Sequence, residues 1–161
     1  MLRSLVIQIL FFVAVFNVLS IFKASSMLPD DTKVASNEQV LPSLDEKTIP
    51  ITATNKTKVL YFFAPWCQIC HASIGNLENL FLKREDVDVV AIALDYENVE
   101  EVHTFVMDKQ LTFPVALGNN EIKSQFKIDG YPSYYVIDEN NAVIAKSLGY
   151  STELGLYLRT L

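Results

Sequence analysis

Cysteine is scarce in this chain: among 161 residues there are two, Cys67 and Cys70, with two residues between them. A pair so close cannot tie distant parts of the fold together, so whatever these sulfurs do is local. Positive charge is also in short supply. Thirteen basic residues stand against 19 acidic ones, a formal net charge of −6, which excludes a strong electrostatic grip on a phosphate backbone; nucleic acid is not an expected partner. Internal repeats and low-complexity tracts are missing too. With 50% hydrophobic and 20% charged residues, the composition is that of a chain that buries a core rather than a disordered one.

What the chain has in quantity is an apolar run at its beginning. Leu5 to Phe22, 18 residues, carries no charged side chain. As a helix it would rise ~27 Å against a hydrocarbon core of ~30 Å, whereas the apolar part of a secretory signal is usually ~7–15 residues. Residues 1–26 are therefore expected to form an uncleaved membrane anchor. The alternative is a cleaved signal peptide, for which Ala24-Ser25-Ser26 offers small residues. On either reading Arg3 and the α-amino group stay on the cytoplasmic side and the remainder lies across the membrane. That remainder, residues 27–161, holds 11 basic against 19 acidic side chains and is expected to be soluble. Residues 27–57, mixed and broken by Pro42 and Pro50, read as a tether ending in a short edge hairpin of Val40-Leu41 against Ile49-Pro50-Ile51 about Asp45-Glu46.

Residues 58–161 alternate strand and helix patterns. Val59 to Ala64 is a continuous apolar run of strand length, suited to a strand buried on both faces. Pro65-Trp66 ends it, and Cys70, Ile74, Leu77 and Phe81 recur at helical spacing over about 67–82. Val87 to Leu94 is a second apolar strand, so strand, helix and strand form a right-handed crossover. Asn98 and Glu101 have capping-box spacing ahead of a helix with Val99, Val102 and Val106 on its buried stripe. Phe113 to Ala116 is extended, and Ile122 and Phe126 mark a brief helix. Strands at 133–137 and 142–146 flank the turn residues Asp138 to Asn141. Ser151 is expected to cap a last helix that buries Leu154, Leu158 and Leu161. Trp66-Cys67-Gln68-Ile69-Cys70 directly follows a buried strand and opens a helix. The first sulfur then sits at the positive end of the helix dipole beside unpaired amides, which favours its thiolate, while Cys70 lies one turn inside and shielded.

With Gly130-Tyr131-Pro132 some 60 residues later (~60, counted from the pair), this motif resembles the thioredoxin superfamily from about Lys58 to the end. The detailed likeness is to membrane-anchored, exported TlpA-like and DsbE-like proteins, and Gly130 to Asp138 with Gly149 to Leu156 are most similar to the ScsD-like branch, named for suppression of copper sensitivity. The resemblance implies an α/β thioredoxin-like fold, a mixed central sheet with helices on both faces, behind one N-terminal transmembrane helix. It implies that Pro132 follows a cis peptide bond, that this loop faces the cysteines, and that the backbone of Tyr131 pairs with a client chain while Trp66 offers it an apolar platform. It further implies thiol–disulfide exchange by Cys67 and Cys70, with protein disulfides or dithiols as clients, no cofactor and no metal. A reductase in the bacterial periplasm, held in the inner membrane and recharged by a membrane electron carrier, is the expected setting.

Two positions depart from the family pattern. A buried carboxylate six places before the first cysteine, or six after it, is replaced here by Tyr61 and Ser73, neither of which accepts a proton at neutral pH. Water or His71 is left for proton transfer from Cys70. His71 also completes a C-x-x-C-H sequence, the attachment motif of c-type haem, for which His71 and a second ligand such as Met107 or His103 would be axial. A third reading is a carrier that holds Cu(I) on the two sulfurs. Peroxidase chemistry lacks its isolated cysteine beside a threonine and a proline.

Overall fold

The computed structural model describes residues 7, 8, 11, 15, 26–34 and 39–161. Apart from four positions, the apolar run from Leu5 to Phe22 lies outside these residues. Among the described residues no helix is long and apolar enough to cross a membrane.

The strands are β1 (Val40–Pro42), β2 (Thr48–Pro50), β3 (Thr57–Phe63), β4 (Val87–Ala93), β5 (Val115–Leu117), β6 (Ser133–Ile137) and β7 (Val143–Leu148). The helices are α1 (Gln68–Lys83), α2 (Val99–Lys109), α3 (Asn120–Gln125) and α4 (Glu153–Arg159). A five-stranded sheet runs in the order β5-β4-β3-β6-β7. Its first three strands are parallel; β6 is antiparallel to β3, and β7 to β6. This is a mixed α/β sheet in which β3 occupies the centre and is buried along nearly its whole length, as a continuous apolar run requires.

Alternation along β3 divides the core between the two faces. Val59, Tyr61 and Phe63 pack with Cys70, Ile74 and Leu77 of α1, Val102 and Phe105 of α2, and Leu156 of α4. Leu60 and Phe62 point the other way, to Ile122 and Phe126 and to the N-terminal segment. Tyr134 and Tyr135 part in the same manner, one to each face.

The N-terminal segment does more than link. Met27, Leu28 and Val34 are buried. The backbone of residues 31–34 bonds to Val143 and Asn141, covering the start of β7, and the Tyr135 hydroxyl accepts from the Leu28 N–H at 3.0 Å. The expected hairpin forms, and its register sets Leu41 opposite Ile49. Lys58 is buried beside it, where its ammonium donates to the carbonyls of Pro50 and Thr52 at 3.1 and 2.6 Å; burial lowers its pKa.

Two helix faces differ from the sequence reading. Asn98 caps α2 through its side chain as expected, but Val99 is exposed and the buried pair is Val102 and Phe105. The cap of α4 is Thr152, whose Oγ1 accepts from Gly155 N, rather than Ser151. Ser151 is itself buried, and its carbonyl accepts from Asn76 at 3.0 Å. Each residue of a helix turns its side chain by about 100°, so the shape of the entry decides which leucine faces the sheet. Leu156 is the buried one, while Leu154, Leu158 and Leu161 are 67%, 60% and 79% exposed.

Gly118 closes the turn from β5 to α3 where a side chain has no room. A Cβ there would lie 2.9 Å from the Ala93 carbonyl oxygen and 2.7 Å from Leu94. That close approach brings α3 alongside the end of β4.

Candidate active site

The end of β3 hands the chain to α1 through Ala64-Pro65-Trp66, and the Cys67 N–H donates to the Ala64 carbonyl at 3.0 Å, closing the turn. Cys67 is the N-cap residue, in extended backbone geometry, and its sulfur accepts from the Cys70 N–H at 3.2 Å. A sulfur is thus performing the task usual for a serine or aspartate oxygen, beside amides that have no partner within the helix. Cys67 and Cys70 are joined by a disulfide, with their Cα atoms 5.2 Å apart. Cys67 is 6% exposed and Cys70 fully buried, so a partner from solvent meets Cys67 first.

Two loops and a helix from elsewhere in the chain gather beside the turn that carries Cys67. The peptide bond between Tyr131 and Pro132 is cis. The Tyr131 ring meets the Trp66 ring edge-on at 5.9 Å, which puts the prolyl loop beside the turn that carries Cys67. Trp66 is 60% exposed, and its indole N–H donates to the Asp95 carbonyl at 2.9 Å. The Asp95 carboxylate in turn accepts from the Tyr131 hydroxyl at 2.9 Å and pairs with Lys123 at 2.5 Å. Burial together with that neighbouring carboxylate raises the Tyr131 pKa well above the usual phenol value. The sequence reading did not single out Asp95 or Lys123. The available signal was position: Asp95 directly follows an apolar parallel strand, and in α/β sheets ligand sites collect at the carboxyl ends of such strands.

Behind the disulfide lies a different environment. The Tyr61 hydroxyl is 3.3 Å from Ser73 Oγ and donates to the Cys70 carbonyl at 3.5 Å. Both residues are fully buried. Tyr134 stacks obliquely on Tyr61 at 4.8 Å, and its hydroxyl has no hydrogen-bond partner among the described residues. Burial pushes the Tyr134 phenol up to about 12 and Tyr61 higher still, so both stay protonated through the physiological range.

His71 is held rather than free. Its Nε2 lies 2.7 Å from the Pro65 carbonyl, and its ring packs edge-on against Phe105 at 4.6 Å. A c-type haem does not fit this arrangement: Cys70 is sealed in the core, where it could not form a thioether, and the Pro65 carbonyl occupies the His71 nitrogen that would face an iron. His103 stands apart on α2, exposed and 3.7 Å from Glu100.

Comparison with known proteins agrees with this geometry. The Redoxin family matches residues 23–156. The thiol-disulfide oxidoreductase ResA of Oceanobacillus iheyensis is 29% identical over 152 residues, covering 88% of this chain and 77% of its own length. Among solved structures, StoA from Bacillus subtilis superposes with a TM-score of 0.69 at 20% identity, covering 79% of this chain and all of its own. A thioredoxin-family thiol:disulfide interchange protein from Chlorobium tepidum gives the same score and identity over 82% of this chain and 97% of its own. The two structures establish the thioredoxin-like fold, and the family match covers most of the chain. This chain belongs to the Redoxin family, as a thioredoxin-like protein with its C-x-x-C pair at the start of a helix and relatives that are thiol–disulfide oxidoreductases.

Proposed function

We propose that this protein is a thiol–disulfide oxidoreductase that reduces disulfides in other proteins outside the cytoplasm, tethered by its N-terminal segment. The observation that carries the reading is the Cys67 sulfur at the N-cap of α1, accepting from the Cys70 amide and joined to a buried neighbour. In the dithiol form the same amide and the helix dipole stabilise a thiolate at Cys67.

The Cys67 thiolate attacks one sulfur of a client disulfide; the other client sulfur leaves as a thiolate and takes a proton from water. The Cys70 thiol then gives its proton to water or His71 and attacks the Cys67 sulfur. The second client sulfur departs as a thiolate and takes up the proton that Cys70 released, and the Cys67–Cys70 disulfide forms. The client gains two electrons from this protein and two protons, one from water and one released by Cys70. A dithiol electron carrier in the membrane returns it to the reduced state. Trp66 and Tyr131 flank the reacting sulfur, and the backbone of Tyr131 before Pro132 supplies strand-like pairing to the client chain.

Reduction is favoured over oxidation by the neutrality of the helix tip. Gln68 and Ile69 bring no positive charge beside the Cys67 sulfur. The dithiol state therefore lacks the strong extra stabilisation that makes a related pair a powerful oxidant. Copper carriage is the weaker reading, because one of its two ligands would be the fully buried Cys70.

Trapping tests the mechanism. Cys70→Ala should accumulate client proteins as mixed disulfides through Cys67, and Cys67→Ala almost none. Equal trapping by both variants would overturn the assignment of attacking and resolving sulfurs. A redox titration of the wild-type pair sets the direction: a potential near that of thioredoxin, about −270 mV, supports a reductase, and one near about −120 mV refutes it.

A further inference from the structure

Three contacts from three separate elements end on one residue. Asp95 accepts from the Trp66 indole through its carbonyl at 2.9 Å, from the Tyr131 hydroxyl through Oδ2 at 2.9 Å, and from the Lys123 ammonium at the same Oδ2 at 2.5 Å. The groups so joined come from the turn after β3, the loop before β6 and helix α3. Lys123 also lies 5.7 Å from the centre of the Tyr131 ring, so the cation, carboxylate, phenol and indole form one connected set. Asp95 has a φ of 50°, a left-handed conformation that Asp and Asn adopt more readily than other side-chain-bearing residues.

Stability is not the main product of this set. Asp95 and Lys123 each keep about a third of their side-chain surface in water, where an ion pair contributes little. Neither belongs to the buried clusters on the two faces of the sheet. What the set does restrict is the freedom of a largely exposed indole and of the loop that ends in Tyr131-Pro132. Restricting such groups beforehand lowers the entropy lost when a chain docks on them.

We infer that Asp95 is a positioning residue for client recognition, a latch that holds Trp66 and Tyr131 at a fixed spacing so that the two flanks of the reacting sulfur present one preformed seat to a polypeptide. This rests on the reading that Trp66 and Tyr131 seat the client. Small thiols and disulfides, which need only reach Cys67, bypass the seat.

The test compares Asp95→Gly and Asp95→Asn with the wild type. Both replacements accept the left-handed backbone; Gly removes the side-chain acceptor, and Asn keeps an oxygen for Tyr131 while losing the charge for Lys123. The readouts are KM and kcat for a disulfide-bonded peptide client and the rate at which dithiothreitol reduces the Cys67–Cys70 disulfide. Acrylamide quenching of fluorescence from Trp66, the only tryptophan in the chain, completes the set. We expect Asp95→Gly, which keeps the carbonyl that Trp66 bonds but frees Tyr131, to raise KM about five- to tenfold, with the dithiothreitol rate affected far less and Trp66 more easily quenched as the Tyr131 ring leaves its edge; Asp95→Asn should fall between it and the wild type. Equal changes in the peptide and dithiothreitol reactions, or no change in KM, would overturn the latch. Trp66→Ala separates the two levels. If it raises KM while Asp95→Gly does not, the latch alone fails; if neither raises it, the seat fails as well.

Discussion

The two cysteines face polar surroundings of opposite character. On the Cys67 side, Asp95, Lys123, Tyr131 and Trp66 form a charged set open to water. On the Cys70 side, Tyr61, Ser73 and Tyr134 form a buried set of neutral hydroxyls. Charge stands where a client would arrive, and neutrality where the resolving sulfur must lose a proton. On the proposed mechanism, the charged set lies on the side of the attacking sulfur and the neutral hydroxyls on the side of the resolving one. A carboxylate behind Cys70 would help to accept that proton but would be costly to hold in a sealed pocket, whereas a hydroxyl costs little once it is bonded.

Placing a charge on the neutral side gives the largest expected effect. Ser73→Asp should destabilise the fold by about 3 kcal/mol at neutral pH, through a carboxylate with no cation to pair with it in the pocket described. Burial raises the folded pKa of such a group, so the deficit should shrink as the pH falls toward that of an ordinary carboxylate. Urea unfolding at several pH values checks both statements; an unchanged midpoint would show that the pocket admits water.

Two further variants are expected to act in opposite directions and to a smaller extent. Ser73→Ala takes a partner from the buried Tyr61 hydroxyl and should cost about 1 kcal/mol. Tyr134→Phe removes a buried hydroxyl that has no partner among the described residues and should stabilise the fold by about 1 kcal/mol. A loss in the second case would mean that this hydroxyl is satisfied, which would break the picture of an incompletely bonded neutral pocket.

The charged side should respond to pH more than to mutation in its stability. Burial opposes the ionisation of Asp95, but the hydrogen bonds from Lys123 and Tyr131 and the charge of Lys123 outweigh it and hold the carboxyl below its usual value. A group with a lowered folded pKa contributes in full above its unfolded value, and the contribution is lost as the pH falls through the lowered one. Client KM should therefore stay level from neutrality down to about pH 4 and rise only below it; a rise beginning above about pH 5 would contradict a latched Asp95. Smallest of all, Lys123→Met should change stability by less than about 1 kcal/mol, as measured by the same urea unfolding.

Much of this contrast could be read in the sequence, for physical reasons that differ by region. The runs that became β3 and β4 are continuously apolar because both faces are covered, and the Asn98 cap lies within three residues of the amide it serves. Cys67, Cys70 and Pro132 stand in short motifs, and Tyr61 and Ser73 were visible as departures from them. The phase of α4 was not legible, because a one-residue choice of cap swings the leucine stripe away from the sheet. Asp95 stayed hidden because its partners are 28, 29 and 36 residues away and meet only when strand ends are brought together. The burial of Met27, Leu28 and Val34 was masked by polar neighbours in a segment that looked like a tether.

The central claim is that the sulfur capping α1 is the one that reacts. The fully reduced protein, treated with iodoacetamide at neutral pH and followed by mass spectrometry of its peptides, tests this directly. Cys67 should be alkylated at least about tenfold faster than Cys70. Modification of Cys70 at an equal or greater rate would contradict the assignment.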